Sequence, residues 1–505
     1  MTIKHKIPIL WLCLLCIPLV SAYFNGLPPS SAYREIIVDA PWRIKPNISE
    51  IPVLIFIHDA GYPCNNENLA KPYRISNVTI SYQGKTIKIV NYNLTVEAEK
   101  QYNLYGKGAW YSIIYVDTSG KFLDDTPYSM SGDTELTVKI NGFDISCDEI
   151  CNCWLNQNNI EQVLSVHIAT EDLPKFDNWY CGDTHYHTVY TDDPAPAFDW
   201  PYRWGELGAP VEAVYEAAKS IGIDWTSANA HSEDLDDYKW SDDTWGIKNV
   251  CGRYNGQEGF VCIPGEEISC GWKNCVGGKC PTPWIRGVTH YLAYDFSDWI
   301  YGSSITYAQN CGAVIDSVNS QGGIGYVAHP MNSIANWKPW VWDLPHLKYP
   351  VSGYEVWNVE SKDDEFGKSI NAYDSELLWD LTNNPNRRVY IIGGSDAQGM
   401  FNTIYGEPEN GGSIFGLPRT CCKLDSLNRQ SILNALKNGH CFFGNGPALK
   451  FTINGKQIGD TVNIVDGENI SMNIEWKSTE EFDKVDKTNT TSQIVFICCL
   501  KEEEK

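Results

Sequence analysis

Apolar and polar residues alternate in short runs along the first third of the chain. The clearest are Ile-Pro-Val-Leu-Ile-Phe-Ile at 51–57, Asn-Val-Thr-Ile-Ser-Tyr at 77–82, Thr-Ile-Lys-Ile-Val at 86–90 and Glu-Leu-Thr-Val-Lys-Ile at 135–140, parted by glycine, proline and asparagine turns. A period of two is that of half-buried strands, and this region predicts an antiparallel β-sandwich. Beyond about residue 178 the texture changes. Helical segments at 210–222, 305–321 and 375–383 alternate with short apolar runs, which predicts an α/β barrel. A helix over 429–437, stopped by Gly439, then leads into strands at 449–453 and 470–476. The expected division is a leader at 1–22, a sandwich domain at 23–176, a barrel at 177–427 and a helix plus β-rich domain at 428–505.

In the middle region, polar residues capable of binding metal close the apolar runs. His185 and His187 stand in Cys-Gly-Asp-Thr-His-Tyr-His-Thr, followed by His231, Glu267, His290, His329 and then Asp396 and Gln398 in Gly-Gly-Ser-Asp-Ala-Gln. Side chains two apart on a strand share a face, so His185 and His187 can bind one ion while Tyr186 points away. A parallel barrel gathers the carboxyl ends of its strands at one face, bringing such residues together. Mixed nitrogen and carboxylate donors suit zinc, manganese or iron rather than calcium. Glu266 is expected to face away from Glu267 in a structural role, and His58, His167, His346 and His440 read as solvated side chains.

Composition narrows the function classes. A 505-residue chain that is 43 % hydrophobic has room for two or three domains with full cores. Its formal net charge of -24 excludes a nucleic-acid-binding surface and attracts divalent cations. Lys4, His5 and Lys6 precede an apolar run at 7–20 and the small-residue site Val20-Ser21-Ala22, which reads as an export signal cleaved before Tyr23. The run is shorter than the ~20 residues of a spanning helix, so membrane contact is expected only if it stays uncleaved. The chain has 18 cysteines, two of them, Cys13 and Cys16, in the leader. That density fits an oxidising, extracellular or cell-surface location. The clusters Cys147, Cys151, Cys153 and Cys270, Cys275, Cys280 lack Cys-x-x-Cys spacing, favouring disulfides over structural zinc. Glycosylation sequons occur at Asn47, Asn77, Asn93, Asn469 and Asn489.

The ordered set from Gly182 to Gln398 resembles the PHP (polymerase and histidinol phosphatase) metallohydrolases, which open with Gly-Asp-x-His-x-His-Thr and continue through His, Glu, His, His and Asp-x-His blocks. The tail, Gly-His-Cys-Phe-Phe-Gly-Asn-Gly-Pro at 439–447 and Phe-Thr-Ile-Asn-Gly-Lys-Gln-Ile-Gly-Asp at 451–460, looks like that of the exported carbaryl-esterase-like (CehA/McbA) branch. The resemblance implies a distorted (β/α)7 barrel flanked by an N-terminal β-sandwich and a small C-terminal β-rich domain. It also implies one divalent ion on His185, His187, Glu267 and Asp396, and a second on Glu267, His290 and His329. A third family position would use Asp192, His231 and a histidine where this chain has Gln398. Ala230 replaces the aspartate of the family's Thr-Asp-His block, so that position is expected to be weak or empty.

A water between two divalent ions is activated near neutral pH and attacks carbon or phosphorus. Asp183, beside the first histidines, is placed to orient ligands, and Asp396 to assist proton transfer. Two functions follow: a hydrolase, with phosphoesters ahead of carboxylic or carbamic esters, or an exported binding protein that keeps the metal barrel as scaffold. The substrate is expected to be a small molecule or glycan. Trp200, Trp204, Trp240, Trp245, Trp337, Trp340 and Trp342 would rim the site if their loops sit at its mouth, and Arg286 and Arg419 are candidates to meet an anionic group.

Overall fold

The computed structural model describes residues 35–58, 71–97, 109–148, 151–191, 208–271 except 233 and 245, 288–302, 310–329, 350–358, 390–397, 401, and 414–483 except 466. The expected leader and the helix at 375–383 lie outside these residues.

The N-terminal strands are β1 (Glu35–Asp39), β2 (Arg43–Ile44), β3 (Glu50–His58), β4 (Tyr73–Tyr82), β5 (Lys85–Val96), β6 (Trp110–Asp117), the small hairpin β7 (Ser119–Lys121) and β8 (Pro127–Ser129), β9 (Gly132–Cys147), β10 (Cys153–Gln157) and β11 (Ile160–Ile168). They form one sheet in the order β1-β3-β6 and another in the order β2-β11-β9-β4-β5, with β10 also on β9. The two sheets share a core in which Ile51, Val53, Ile55 and Ile57 of β3 meet Tyr73, Val78, Leu136 and Val138. The intervening Leu54 and Phe56 join a different cluster, with Val214, Ala218 and Ile221. Strand β3 is therefore covered on both faces, which explains why its run is almost continuously apolar rather than alternating.

Strands β12 (Trp179–Asp183), β13 (Trp225–Ala228), β14 (Val261–Gly271), β15 (Val288–Tyr294), β16 (Ile324–Val327), β17 (Gly353–Asn358), β18 (Tyr390–Gly394), β19 (Arg419–Lys423) and β20 (Cys441–Gly444) form a nine-stranded sheet. Its order is β18-β17-β16-β15-β14-β13-β12-β19-β20. The sheet is nearly closed. Thr420 Oγ1 accepts from Gly393 N at 3.1 Å and donates to Gly393 O at 2.7 Å, joining β18 to β19. Just beyond the C-terminal ends of β12 and β18, His187 N donates to Ala397 O and Asp396 N to His185 O. The strands are not parallel throughout, unlike those of the parallel barrel that would gather every ligand at strand carboxyl ends. Strand β15 runs antiparallel to β14 and β16, and β19 runs antiparallel to β12. Strand β20, beyond the expected boundary at residue 427, continues this sheet.

The helix Val211–Ile221 follows Pro210, whose fixed φ suits a helix start, and ends at Gly222, which adopts φ 101°. Its Val214, Ala217, Ala218 and Ile221 are buried against the barrel and β3. The predicted helix at 305–321 is described as Cys311–Ser320, capped by the Asn310 side chain. The predicted helix at 429–437 is observed as Arg429–Asn438, and Gly439 stops it at φ 73°. Strands β21 (Ala448–Ile453), β22 (Lys456–Gln457) and β23 (Met472–Lys477) follow, then a short turn of helix, Glu480–Asp483.

Five disulfides occur among the described residues: Cys147–Cys153, Cys181–Cys421, Cys251–Cys262, Cys270–Cys311 and Cys422–Cys441. Adjacent Cys421 and Cys422 reach strands on either side of β19, so both its neighbours are stapled to it. Cys151 is free and exposed, and Cys275 and Cys280 lie outside the described residues. No helix among the described residues is long and apolar enough to cross a membrane.

Several minor expectations are corrected. His58 is buried, 5.8 Å from the Phe56 ring, rather than solvated. His167 pairs with Asp133 at 2.7 Å and Glu481 at 3.2 Å. His440 lies 3.5 Å from Asp460 but keeps 39 % of its side chain exposed, in line with the solvated reading. Trp240 is core: it stacks on Phe296 at 4.7 Å and donates to Ser297 O, so it rims nothing. Arg419 is likewise buried, donating to Gly446 O and lying against Phe482, which removes it as a receptor for a substrate anion. His346, Arg286 and the other six tryptophans proposed for the rim lie outside the described residues.

Candidate metal centre

Glu267 stands within β14, and the neighbouring candidate ligands stand on backbone that extends β12, β13 and β18 beyond their regular ladders. Isolated parallel bridges join Tyr186 to Ala397, His187 to Asn229 and His231 to Glu267. These bridges set His185, His187, His231, Glu267 and Asp396 side by side. Strand reversal supplies the next residue: β15 runs backwards, placing His290 opposite Ser269, two residues beyond Glu267. His329 follows the end of β16. Tyr186 turns the other way, packing on Phe415 at 4.7 Å and Phe401 at 6.3 Å, as the two-residue spacing requires.

Two buried groups result, both using Glu267. In the first, His185 Nε2 lies 3.3 Å from Glu267 Oε2 and 3.1 Å from Asp396 Oδ1. His187 Nε2 lies 3.2 Å and 3.0 Å from the same two oxygens. All four ligand atoms lie within 4.8 Å of one another, close enough for one ion to be shared among them. In the second, His231 Nδ1 is 3.2 Å from Glu267 Oε2, and His290 Nδ1 is 2.6 Å from Glu267 Oε1. His329 Nε2 approaches Glu267 Oε1 to 3.0 Å. His231 thus stands with Glu267 and His290, whereas the family pattern implied a separate third position for it. Asp192 and Gln398, the other residues of that position, lie outside the described residues.

The donor atoms fit a cation better than they fit one another. His185 Nε2 and Glu267 Oε2 are buried and make no hydrogen bond of acceptable geometry, although they are only 3.3 Å apart. His187 Nε2 reaches Asp396 Oδ1 at 3.0 Å and His329 Nε2 reaches Glu267 Oε1 at 3.0 Å, but His185 Nε2 and Glu267 Oε2 are left unmatched, an arrangement that a shared ion relieves. The acidic and imidazole groups also hold one another charged. Burial opposes a charged His185, yet Asp396, Glu355 and Glu267 carry its pKa well above the ordinary imidazole value. Burial also opposes an ionised Glu267, but His290, His185 and His231 hold it well below the usual carboxylate range. Asp396 is lowered too, as His185 and His187 outweigh its burial. The carboxylates stay ionised in a water-poor site.

Asp183 is fully buried, with Oδ1 accepting from His185 N and Ser395 N at 3.0 Å and Oδ2 accepting from Gly416 N at 2.8 Å. Burial pushes its carboxyl up to about 6 against the backbone N–H groups, which favour its charged form. It ties together the backbone beside His185 and Asp396. Glu266 points elsewhere, accepting from Ile300 N at 3.1 Å.

Two participants had not been singled out in the sequence. Glu355 on β17 is fully buried, with both carboxylate oxygens 3.1 Å from His185 Nδ1. Its signal was a lone acid within the apolar strand Gly-Tyr-Glu-Val-Trp-Asn, where an unpaired carboxylate would be costly. Thr191 Oγ1 lies 3.0 Å from His187 Nδ1 and carried no comparable signal.

Gly394 shows how tightly these groups are packed. A Cβ there would lie 2.6 Å from His185 Cβ and 2.7 Å from Glu355 Oε1. Gly394→Ala is therefore expected to displace His185 and cost about 1–3 kcal/mol of stability. Comparing denaturation midpoints and bound metal with the unchanged chain checks this, and unchanged values for both would contradict the packing argument.

No family model and no curated protein matches the chain. Among solved structures, it is similar to an amidohydrolase from Chromobacterium violaceum with bound sulfate and no metal. The two share 12 % identity at a TM-score of 0.26, over 42 % of this chain and 86 % of that one. A likeness that slight bears on neither fold nor chemistry.

Proposed function

We propose that the chain is a metal-dependent hydrolase, with phosphoesters as the leading substrate class and carboxylic or carbamic esters next. The observation carrying this reading is the position of Glu267, which five histidines approach within one buried cluster: His185, His187 and His231 at Oε2, His290 and His329 at Oε1. His185, His187, Glu267 and Asp396 would hold one divalent ion, of zinc, manganese or iron, and Glu267 with His290, His231 and His329 a second. Ions so held supply an activated water and Lewis-acid stabilisation of developing negative charge. Thr191 and Glu355 orient His187 and His185 from their far nitrogens, and Asp183 braces the backbone carrying them. Asp396 faces both His185 and His187, and in this reading it would assist proton transfer while ligating.

In this reading the nine-stranded sheet contains a PHP-like (β/α)7 barrel over 177–427, flanked by a sandwich at 23–176 and a β-rich segment at 428–505. The substrate is a small molecule or glycan, met outside the cytoplasm after removal of residues 1–22. Five disulfides among the described residues fit such an oxidising location.

The test is elemental analysis of protein expressed without its leader, paired with hydrolysis of a nitrophenyl phosphate and a nitrophenyl ester. About two ions per chain with metal-dependent turnover are expected. The preferred substrate then sets the bond class. Bound metal without turnover on either would favour a metal-stabilised binding protein, and no metal after reconstitution would overturn the reading.

A further inference from the structure

We infer that Glu355 is a positioning residue that couples the two groups of candidate ligands, an inference resting on the metal-dependent reading above. Its carboxylate engages both sides. Both oxygens lie 3.1 Å from His185 Nδ1, and Oε2 also accepts from the backbone N–H of His329 at 3.2 Å. On the first side, the ring proton held at Nδ1 leaves the Nε2 lone pair directed at Glu267 and Asp396, 3.3 Å and 3.1 Å away. On the second, the contact fixes a histidine whose backbone is unusual: His329 has φ 22°, a conformation non-glycine residues seldom adopt unless their surroundings impose it. Its Nε2 is thereby brought to 3.0 Å from Glu267 Oε1.

The site is built around this carboxylate. Glu355 is fully buried on β17, and Gly394 on the neighbouring β18 leaves space for it that a Cβ would fill. Oε2 faces both donors and Oε1 faces His185 alone; in a carboxamide an uncharged N–H2 takes one of these places and sets a donor against the donor it meets. Glu355→Gln preserves shape and tests the coupling.

The experiment loads the unchanged chain, Glu355→Gln and Glu355→Asp with Co2+ and follows its release to a chelator by visible absorption. Metal-free melting is measured in parallel. Release roughly ten- to hundredfold faster from Glu355→Gln is expected, with an intermediate rate for Glu355→Asp and little change in metal-free melting. For the best substrate, kcat should fall more than KM rises. Release at the parental rate from both variants overturns the inference, as does a change confined to metal-free melting. If the unchanged chain takes up no Co2+, the metal-dependent reading itself falls and this inference with it. An unchanged chain that binds Co2+ alongside variants that hold it equally well would overturn the coupling alone.

Discussion

Glu267→Gln is expected to remove most bound metal and at least about a thousandfold of kcat/KM, corresponding to several kcal/mol of lost transition-state stabilisation. Every candidate ligand histidine approaches one of its two oxygens: His185, His187 and His231 at Oε2, His290 and His329 at Oε1. Glutamine has nearly the same shape but no negative charge, so the change isolates the charge shared between the two groups. The check is metal content and kcat/KM on one preparation, with circular dichroism confirming the fold. A variant retaining two ions and parental turnover would show that Glu267 is not shared. An Asp183→Asn comparison is informative because Asp183 holds backbone N–H groups; its effect should follow from displaced ligands and be smaller.

The second large effect is expected at the C-terminal turn. Glu481→Ala should lower stability by about 3–5 kcal/mol, because it leaves a buried arginine without its carboxylate. Arg43 has no exposed side-chain surface and places Nε 2.8 Å from Glu481 Oε1, while His167 Nε2 lies 3.2 Å from the other oxygen. Arg43 also donates to Ile221 O, at the end of the barrel helix. The carboxylate thus ties the last described turn to β2 and β11, and the arginine it holds reaches on to the barrel helix. Denaturant titration checks the loss, with Asp124→Asn as the control. Asp124 pairs with Lys85 at 3.0 Å between exposed side chains, where water screens the interaction, so its midpoint should hardly move. Equal effects from the two substitutions would show that Glu481 closes no junction.

Much of the site was legible because metal binding needs rare residue types at strand ends. His185, Glu267, His290, His329 and Asp396 each close a short apolar run, and the structure brings their side chains into one buried cluster. Glu355 escaped because its role depends on a strand 170 residues away, and one acid in an apolar run does not reveal its partner. The proposed indole rim misread Trp240 for a related reason: an aromatic residue following a polar motif looks alike whether its loop opens to water or folds back on Phe296. Local pattern carries no information about which way a connection turns.

Strand and helix positions followed from local periodicity. The run at 51–57 is the strand it was read as, although both of its faces are covered rather than one, and Gly439 could end the helix at φ 73° without a side-chain clash. The candidate metal-binding residue types were also determined locally, since few side chains offer the necessary lone pairs. Tertiary structure decided how they combine. The reversal of β15 brings His290 beside Glu267, the bridge from His231 to Glu267 places that histidine with the second group, and Glu355 reaches two histidines from another strand. Strand direction and register arise from pairing between distant segments, which depends on closing the whole sheet rather than on any single run of residues.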